Sequence, residues 1–96
     1  MNIAIIGCGL IGQKRAKALG GARLLICADT AQERAQRLAT TALGCKAVMD
    51  WKEAVNDPAV SIVIICTLHD TLAEIASGAV AAGKHVLIEK LSLIHI

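Results

Sequence analysis

Five short groups of residues carry atoms able to do chemistry: Gly7-Cys8-Gly9-Leu10-Ile11-Gly12, Asp29-Thr30, Asp50-Trp51, Thr67-Leu68-His69-Asp70 and Glu89-Lys90. The first has G-x-G-x-x-G spacing, which can present unpaired backbone N–H groups to a pyrophosphate with the positive end of a helix behind them. In such a loop Gly7 permits the tight turn, Gly9 lets phosphates approach without a Cβ in the way, and Gly12 allows close helix–strand packing. Asp29 follows Gly7 by 22 positions, where a carboxylate can accept hydrogen bonds from an adenosine ribose. That carboxylate would repel a 2′-phosphate. A charge-assisted hydrogen bond of roughly 1.5–3 kcal/mol would favour NAD over NADP by about ten- to a hundredfold. Arg34 and Arg37 nearby keep NADP open, and Asp29 could also do no more than cap the helix that follows it.

The remaining groups suit the other half of a dinucleotide. The backbone of Thr67, Leu68 and His69, with the Thr67 hydroxyl, could line the nicotinamide-ribose side of a cleft. His69 is a polar ring in that place, although a lone loop histidine is more often a solvated surface residue. Lys90 could hydrogen-bond a substrate hydroxyl or carbonyl and, if desolvated, handle a proton near neutral pH, with Glu89 beside it.

Positioning these groups requires alternating strands and helices. A five-residue apolar run, Asn2 to Ile6, enters the glycine loop, and Ala16 and Leu19 have helical spacing in the segment from Ile11 to Leu19 before Gly20-Gly21. A second strand is expected from Ala22 to Ala28. Thr30 with Glu33 forms a capping-box pattern ahead of a helix whose buried stripe is Ala31, Ala35, Leu38, Ala39 and Ala42, ended by Gly44. Lys46 to Met49 reads as a third strand, and Asp50 with Glu53 as the cap of a short helix closed by Asp57-Pro58. Ser61 to Cys66 is apolar enough to be buried on both faces near the sheet centre. Thr71 and Glu74 are expected to cap the next helix, with Leu72, Ile75, Ala76, Ala79 and Val80 inward; Gly83 closes it before the strand His85 to Ile88. The alternation implies an α/β fold, a Rossmann-type doubly wound parallel sheet of about five strands with its ligand beyond the carboxyl ends of the strands.

Composition narrows the function classes. The 96 residues make at most one domain, and with no Phe, no Tyr and only Trp51 the core must be built from Ile, Leu, Val and Ala. A net charge of +2 without a basic patch or stacking aromatics argues against nucleic-acid binding. Cys8, Cys27, Cys45 and Cys66 are far apart in sequence, with neither zinc nor redox spacing, and read as small buried apolar residues. No apolar stretch is long enough to cross a membrane without charges, so a reduced, cytoplasmic location is the default expectation. Beside an oxidoreductase, two other classes stay open: a non-catalytic NAD(P)-binding redox sensor, and a methyltransferase with a related glycine loop, against which Glu89-Lys90 counts.

The segment Ala82-Gly83-Lys84-His85-Val86-Leu87-Ile88-Glu89-Lys90 resembles the A-G-K-H-V-L-x-E-K-P stretch of the glucose-fructose oxidoreductase, inositol dehydrogenase and rhizopine-catabolism family, Gfo/Idh/MocA. Together with the glycine loop, Asp29 and the strand end at Cys66-Thr67, the resemblance covers Met1 to Lys90. It implies an NAD(P)-binding domain over residues 1–90 of a dehydrogenase acting on a carbinol or carbonyl of a sugar, inositol or sugar nucleotide. It also implies that Lys90 contacts the reacting oxygen and that Glu89 helps position the cofactor side. A dimer or tetramer formed through a second, substrate-binding domain is a further implication. Thr67-Leu68-His69 departs from the family's usual T-P-N, and Leu91 stands where a Pro would continue the motif.

Residues 91–96, Leu-Ser-Leu-Ile-His-Ile, are what a transposon mosaic end used in sequencing-library preparation encodes. This tail is therefore expected to be non-native, with the substrate domain missing beyond it. The 96-residue chain is accordingly expected to show no turnover.

Overall fold

A computed structural model describes residues 1–9, 12, 21–42, 44–67 and 69–88. The expected helix from Ile11 to Leu19 and the tail 91–96 lie outside them. The described elements are β1 (Asn2–Ile6), β2 (Arg23–Ala28), α1 (Gln32–Ala39), β3 (Lys46–Val48), α2 (Trp51–Val55), β4 (Ile62–Ile65), α3 (His69–Ala81) and β5 (His85–Ile88). The strands form one parallel sheet in the order β3-β2-β1-β4-β5. The chain steps outward from β1 to β3 and then returns to the other side of β1 for β4 and β5. Such an order reverses beside β1 and opens a crevice between the carboxyl ends of β1 and β4.

Both faces of the sheet are covered, which is why β1 and β4 are near-continuous apolar runs. One face packs Ala4, Ile6, Ile26, Val63 and Ile65 against α2 and α3, through Ala54, Val55, Ile75 and Ala79. The opposite face packs Ile3, Ile5, Leu24, Cys27 and Ile64 against Ala35 and Leu38 of α1. Simple alternation would put Leu24 and Ile26 on one face. They lie on opposite faces because the β1–β2 register shifts between Ile3 and Ala4: Ile3 pairs with Leu24 but Ala4 with Ile26. The irregularity sends Leu25 and Ile26 to the α2–α3 side and places Cys27 on the α1 side.

Local capping follows the sequence in one helix and departs from it in another. Asp50 is the N-cap of α2, its Oδ1 accepting from the Lys52 N–H at 2.9 Å. Asp50→Ala should lower the unfolding free energy by about 1 kcal/mol, read as a modest fall in urea midpoint. Thr30 does not cap α1. The cap position is Ala31, whose side chain has no acceptor to offer, and the Ala31 N–H donates to Asp29 Oδ1 at 2.8 Å. The helix stops at Ala39 rather than running to Gly44, as Thr40 and Thr41 fold their hydroxyls back onto the carbonyls of Arg37 and Leu38, at 2.7 and 2.6 Å.

In α3, Thr71 lies inside the first turn rather than ahead of it, since the helix already begins at His69. A T-x-x-E spacing is equally at home within a helix, so it cannot mark the boundary by itself. Val80, expected in the buried stripe, is 65% exposed, whereas Ile75 and Ala79 are buried. The sheet under α3 ends at edge strand β5. Trp51 packs its ring against Gly78, where a Cβ would come within 2.8 Å of the indole.

Candidate functional site

β1 delivers Gly7 to the centre of the sheet's carboxyl edge. Its N–H continues the ladder by donating to Ala28 of β2 at 2.8 Å, and the Cys66 N–H donates to Ile6 from the other side at 2.8 Å. Gly7 adopts φ +95°, and a Cβ there would lie 2.7 Å from the Cys66 carbonyl oxygen. Only glycine meets both conditions. At Gly12 a Cβ would collide with the Gly7 carbonyl oxygen and touch Ile5 Cγ2 at 3.4 Å, so this position seats the chain directly on the end of β1. Gly9 differs. A Cβ built on it meets nothing within 4 Å among the described residues, so its backbone faces a space open to an approaching group.

Asp29, at the tip of β2, is partly buried. Its Oδ2 accepts from the Cys8 N–H at 2.8 Å, while Oδ1 accepts from Ala31 at 2.8 Å. One carboxylate thereby ties the glycine loop to the start of α1. A carboxylate offers about four lone-pair sites, so two acceptor positions remain for ligand hydroxyls. Thr30 beside it is exposed.

Thr67 follows β4 and stands next to Gly7, with its Cγ2 3.2 Å from where a Gly7 Cβ would be. Its Oγ1 is buried and has no hydrogen-bond partner among the described residues. Burying a hydroxyl unpaired costs about 1–3 kcal/mol, so its placement at the crevice suits a hydrogen bond to something bound there. His69 opens α3. Leu10, Ile11, Leu68, Glu89 and Lys90 lie outside the described residues. Asp50, a further strand-end candidate, has its carboxylate committed to capping α2.

Sequence reasoning missed two contacts. The link from Asp29 to Cys8 carries no motif, because it joins residues 21 apart. The cysteines, expected to be inert apolar filling, include a pair: Cys27 Sγ lies 3.2 Å from Cys45 Sγ, with Cys27 buried and Cys45 partly exposed. Only the β2–β3 register brings them together. Among the described residues no group of side chains is arranged to hold a metal ion, and no helix is long and apolar enough to cross a membrane.

Comparison with known proteins places this geometry. Residues 1–90 match the sequence profile of the GFO_IDH_MocA family, described as "Oxidoreductase family, NAD-binding Rossmann fold". Inositol 2-dehydrogenase 2 of Saccharopolyspora erythraea is 36% identical over 94 residues, covering 94% of this chain and 28% of that protein. Among solved structures, an NAD binding oxidoreductase from Klebsiella pneumoniae superposes with TM-score 0.83 at 39% identity, over 94% of this chain and 27% of that one. An enzyme of gentamicin A biosynthesis, in complex with NAD, gives TM-score 0.87 at 30% identity over 94% and 26%. The chain thus spans little more than a quarter of the length of the proteins it matches.

Proposed function

Because the chain belongs to the Gfo/Idh/MocA family of NAD-binding oxidoreductases, we propose that Gly7, Cys8, Gly9, Gly12, Asp29 and Thr67 form the dinucleotide corner of a polyol or sugar dehydrogenase. The observation that carries this reading is the buried Thr67 hydroxyl, unpartnered among the described residues, beside Gly7 at the point where strand order reverses. Gly9 leaves room for phosphates against its backbone, and the free acceptor positions of Asp29 take the adenosine ribose hydroxyls. The Asp29 carboxylate then disfavours a 2′-phosphate, so NAD is preferred over NADP.

A nicotinamide held here accepts or donates the hydride. The chain's own residues bind and orient it. Thr30 and His69 border the two ends of the corner, with Leu10, Ile11 and Leu68 completing its backbone. Lys90, with Glu89 beside it, holds a proton at the reacting oxygen of the substrate, as such a lysine can when its ammonium is partly desolvated. The substrate class is inositol or a related sugar, since inositol 2-dehydrogenase is what the relative in Saccharopolyspora is named.

Calorimetric titration tests the binding. NADH should bind more tightly than NADPH by about ten- to a hundredfold. Thr67→Val keeps the side-chain shape and removes the hydroxyl. It should leave the melting temperature unchanged or slightly higher, while weakening NADH by about two- to tenfold, the loss of one hydrogen bond of about 0.5–1.5 kcal/mol. Wild-type affinity in Thr67→Val would remove the hydroxyl from the site, and no heat with either nucleotide would defeat the proposal as a whole.

A further inference from the structure

From the 3.2 Å separation of their sulfurs and their unequal burial, we propose that Cys27 and Cys45 form a reversible dithiol–disulfide site, oxidised by a low-molecular-weight disulfide such as glutathione disulfide. It does not depend on the reading of the dinucleotide corner.

The geometry comes from the sheet. β2 and β3 are parallel, with Cys27 opposite Ala47, so Cys45 lies two positions back along the same side, just ahead of β3. Both sulfurs belong to the α1 side of the core, Cys27 within it and Cys45 at its margin. A disulfide bond of about 2.05 Å requires the two sulfurs to approach by about 1.2 Å, a side-chain adjustment at the end of a three-residue edge strand. Cys45 is the strand-margin residue, partly exposed and followed by its own contact to the Lys46 carbonyl at 3.8 Å. Cys27 is fully buried.

The two thiols are also unlike in acidity. A hydrogen bond from Cys27 holds Cys45 below the usual thiol range, against an opposing effect of burial. Cys27 is pushed up, first by its hydrogen bond with Cys45, then by Cys8 and by burial. Cys45 is therefore the nucleophile, being both the reachable sulfur and the one that ionises first. Cys8 also borders Cys27, but its thiol donates to the Ala28 carbonyl at 3.5 Å and is fully buried, out of reach of the small disulfide.

The chemistry closes without a metal or a nucleotide. The Cys45 thiolate attacks one sulfur of the small disulfide RSSR, forming a Cys45–S–S–R mixed disulfide and releasing RS⁻, which takes up a proton. Cys27 then loses its proton to solvent and attacks Cys45 Sγ, forming the Cys27–Cys45 bond and releasing the second RS⁻. Two protein thiols lose two electrons in all, and RSSR becomes two RSH.

The test is thiol mapping of the folded 96-residue chain after incubation with glutathione disulfide, quenching with an alkylating reagent and mass analysis. The expected product is a Cys27–Cys45 cross-linked peptide pair, lighter by two hydrogens and returned to two alkylated thiols by dithiothreitol. Cys27→Ser should instead accumulate glutathione on Cys45, because the resolving thiol is gone. Cys45→Ser should take up no glutathione at Cys27, which the disulfide cannot reach. Far-UV circular dichroism establishes that each variant is folded, and the wild-type map decides the matter should either variant not fold. Recovery of both Cys27 and Cys45 as alkylated thiols in folded wild type at every level of oxidant would overturn the proposal, as would a bridge joining Cys27 to Cys8.

Discussion

Asp29→Ala should melt about 12–24 °C below the wild-type chain and bind NADH at least about tenfold more weakly. The first effect follows from the two backbone N–H groups that the carboxylate satisfies, those of Cys8 and Ala31, each at 2.8 Å and partly buried. Hydrogen bonds to an ionised group contribute about 1.5–3 kcal/mol each. Allowing for partial exposure, losing both costs about 3 kcal/mol, and 1 kcal/mol moves the melting temperature of a domain this size by about 4–8 °C. The second effect follows from the proposed ribose contacts, because removing the carboxylate takes away both the acceptors and the pre-set glycine loop. Asp29→Asn separates the two. Its amide can still accept from one N–H but turns a donor towards the other, so it should recover part of the stability and little of the preference for NADH over NADPH. A melting temperature for Asp29→Ala within about 2 °C of wild type would show that the carboxylate does not hold the loop. Unchanged nucleotide preference in Asp29→Asn would remove it from ribose recognition.

The glycine loop yields the second large effect, and it divides by position. Gly7→Ala forces an alanine into φ +95° and drives its Cβ to 2.7 Å from the Cys66 carbonyl oxygen, which is backbone at the end of the neighbouring strand and cannot rotate away. Strain of about 1–2 kcal/mol for the left-handed backbone adds to an overpacking cost of about 1–3 kcal/mol. The melting temperature should fall by about 8 °C or more. Gly9→Ala meets no neighbour within 4 Å among the described residues and has no positive φ. Its melting temperature should stay within about 3 °C of wild type, while NADH binding weakens by about tenfold or more because the new methyl stands where phosphates would approach the backbone. If Gly9→Ala binds NADH as wild type does, the pyrophosphate does not lie over that backbone. Should Gly7→Ala melt with the wild type, the junction between β1 and β4 is looser than its geometry requires.

What was legible in the sequence was whatever depends on residues close together along the chain. The apolar runs of β1 and β4 announced strands buried on both faces, and Asp50 announced the start of α2, because a cap acts over two or three residues. The G-x-G-x-x-G spacing placed the turn, and the segment from Ala82 to Lys90 pointed to the family that the comparison over residues 1–90 establishes. Thr30 was misread because α1 begins one residue later than the T-x-x-E pattern implies: Ala31 takes the cap position, and Asp29 rather than Thr30 engages the start of the helix, through the Ala31 N–H. Val80 fitted the helical stripe and is nevertheless exposed. The T-x-x-E pattern at Thr71 was real and yet marked no boundary.

The sequence by itself determined the order and type of the described elements, the location of the glycine turn and the kinship of the chain. Each is set by side-chain periodicity, by backbone conformation at particular glycines, or by runs of identical residues. The tertiary structure alone decided which distant groups meet. A register shift opposite Leu25 turned Cys27 to the α1 side, the β2–β3 pairing carried Cys45 to it, and the parallel alignment of β1 with β2 brought Cys8 under the Asp29 carboxylate. Strand register is a collective outcome of two packed faces, and moving it by one residue exchanges every side chain between them. No local pattern encodes that choice, so the contacts that hold the loop and pair the thiols exist only once the whole sheet has assembled.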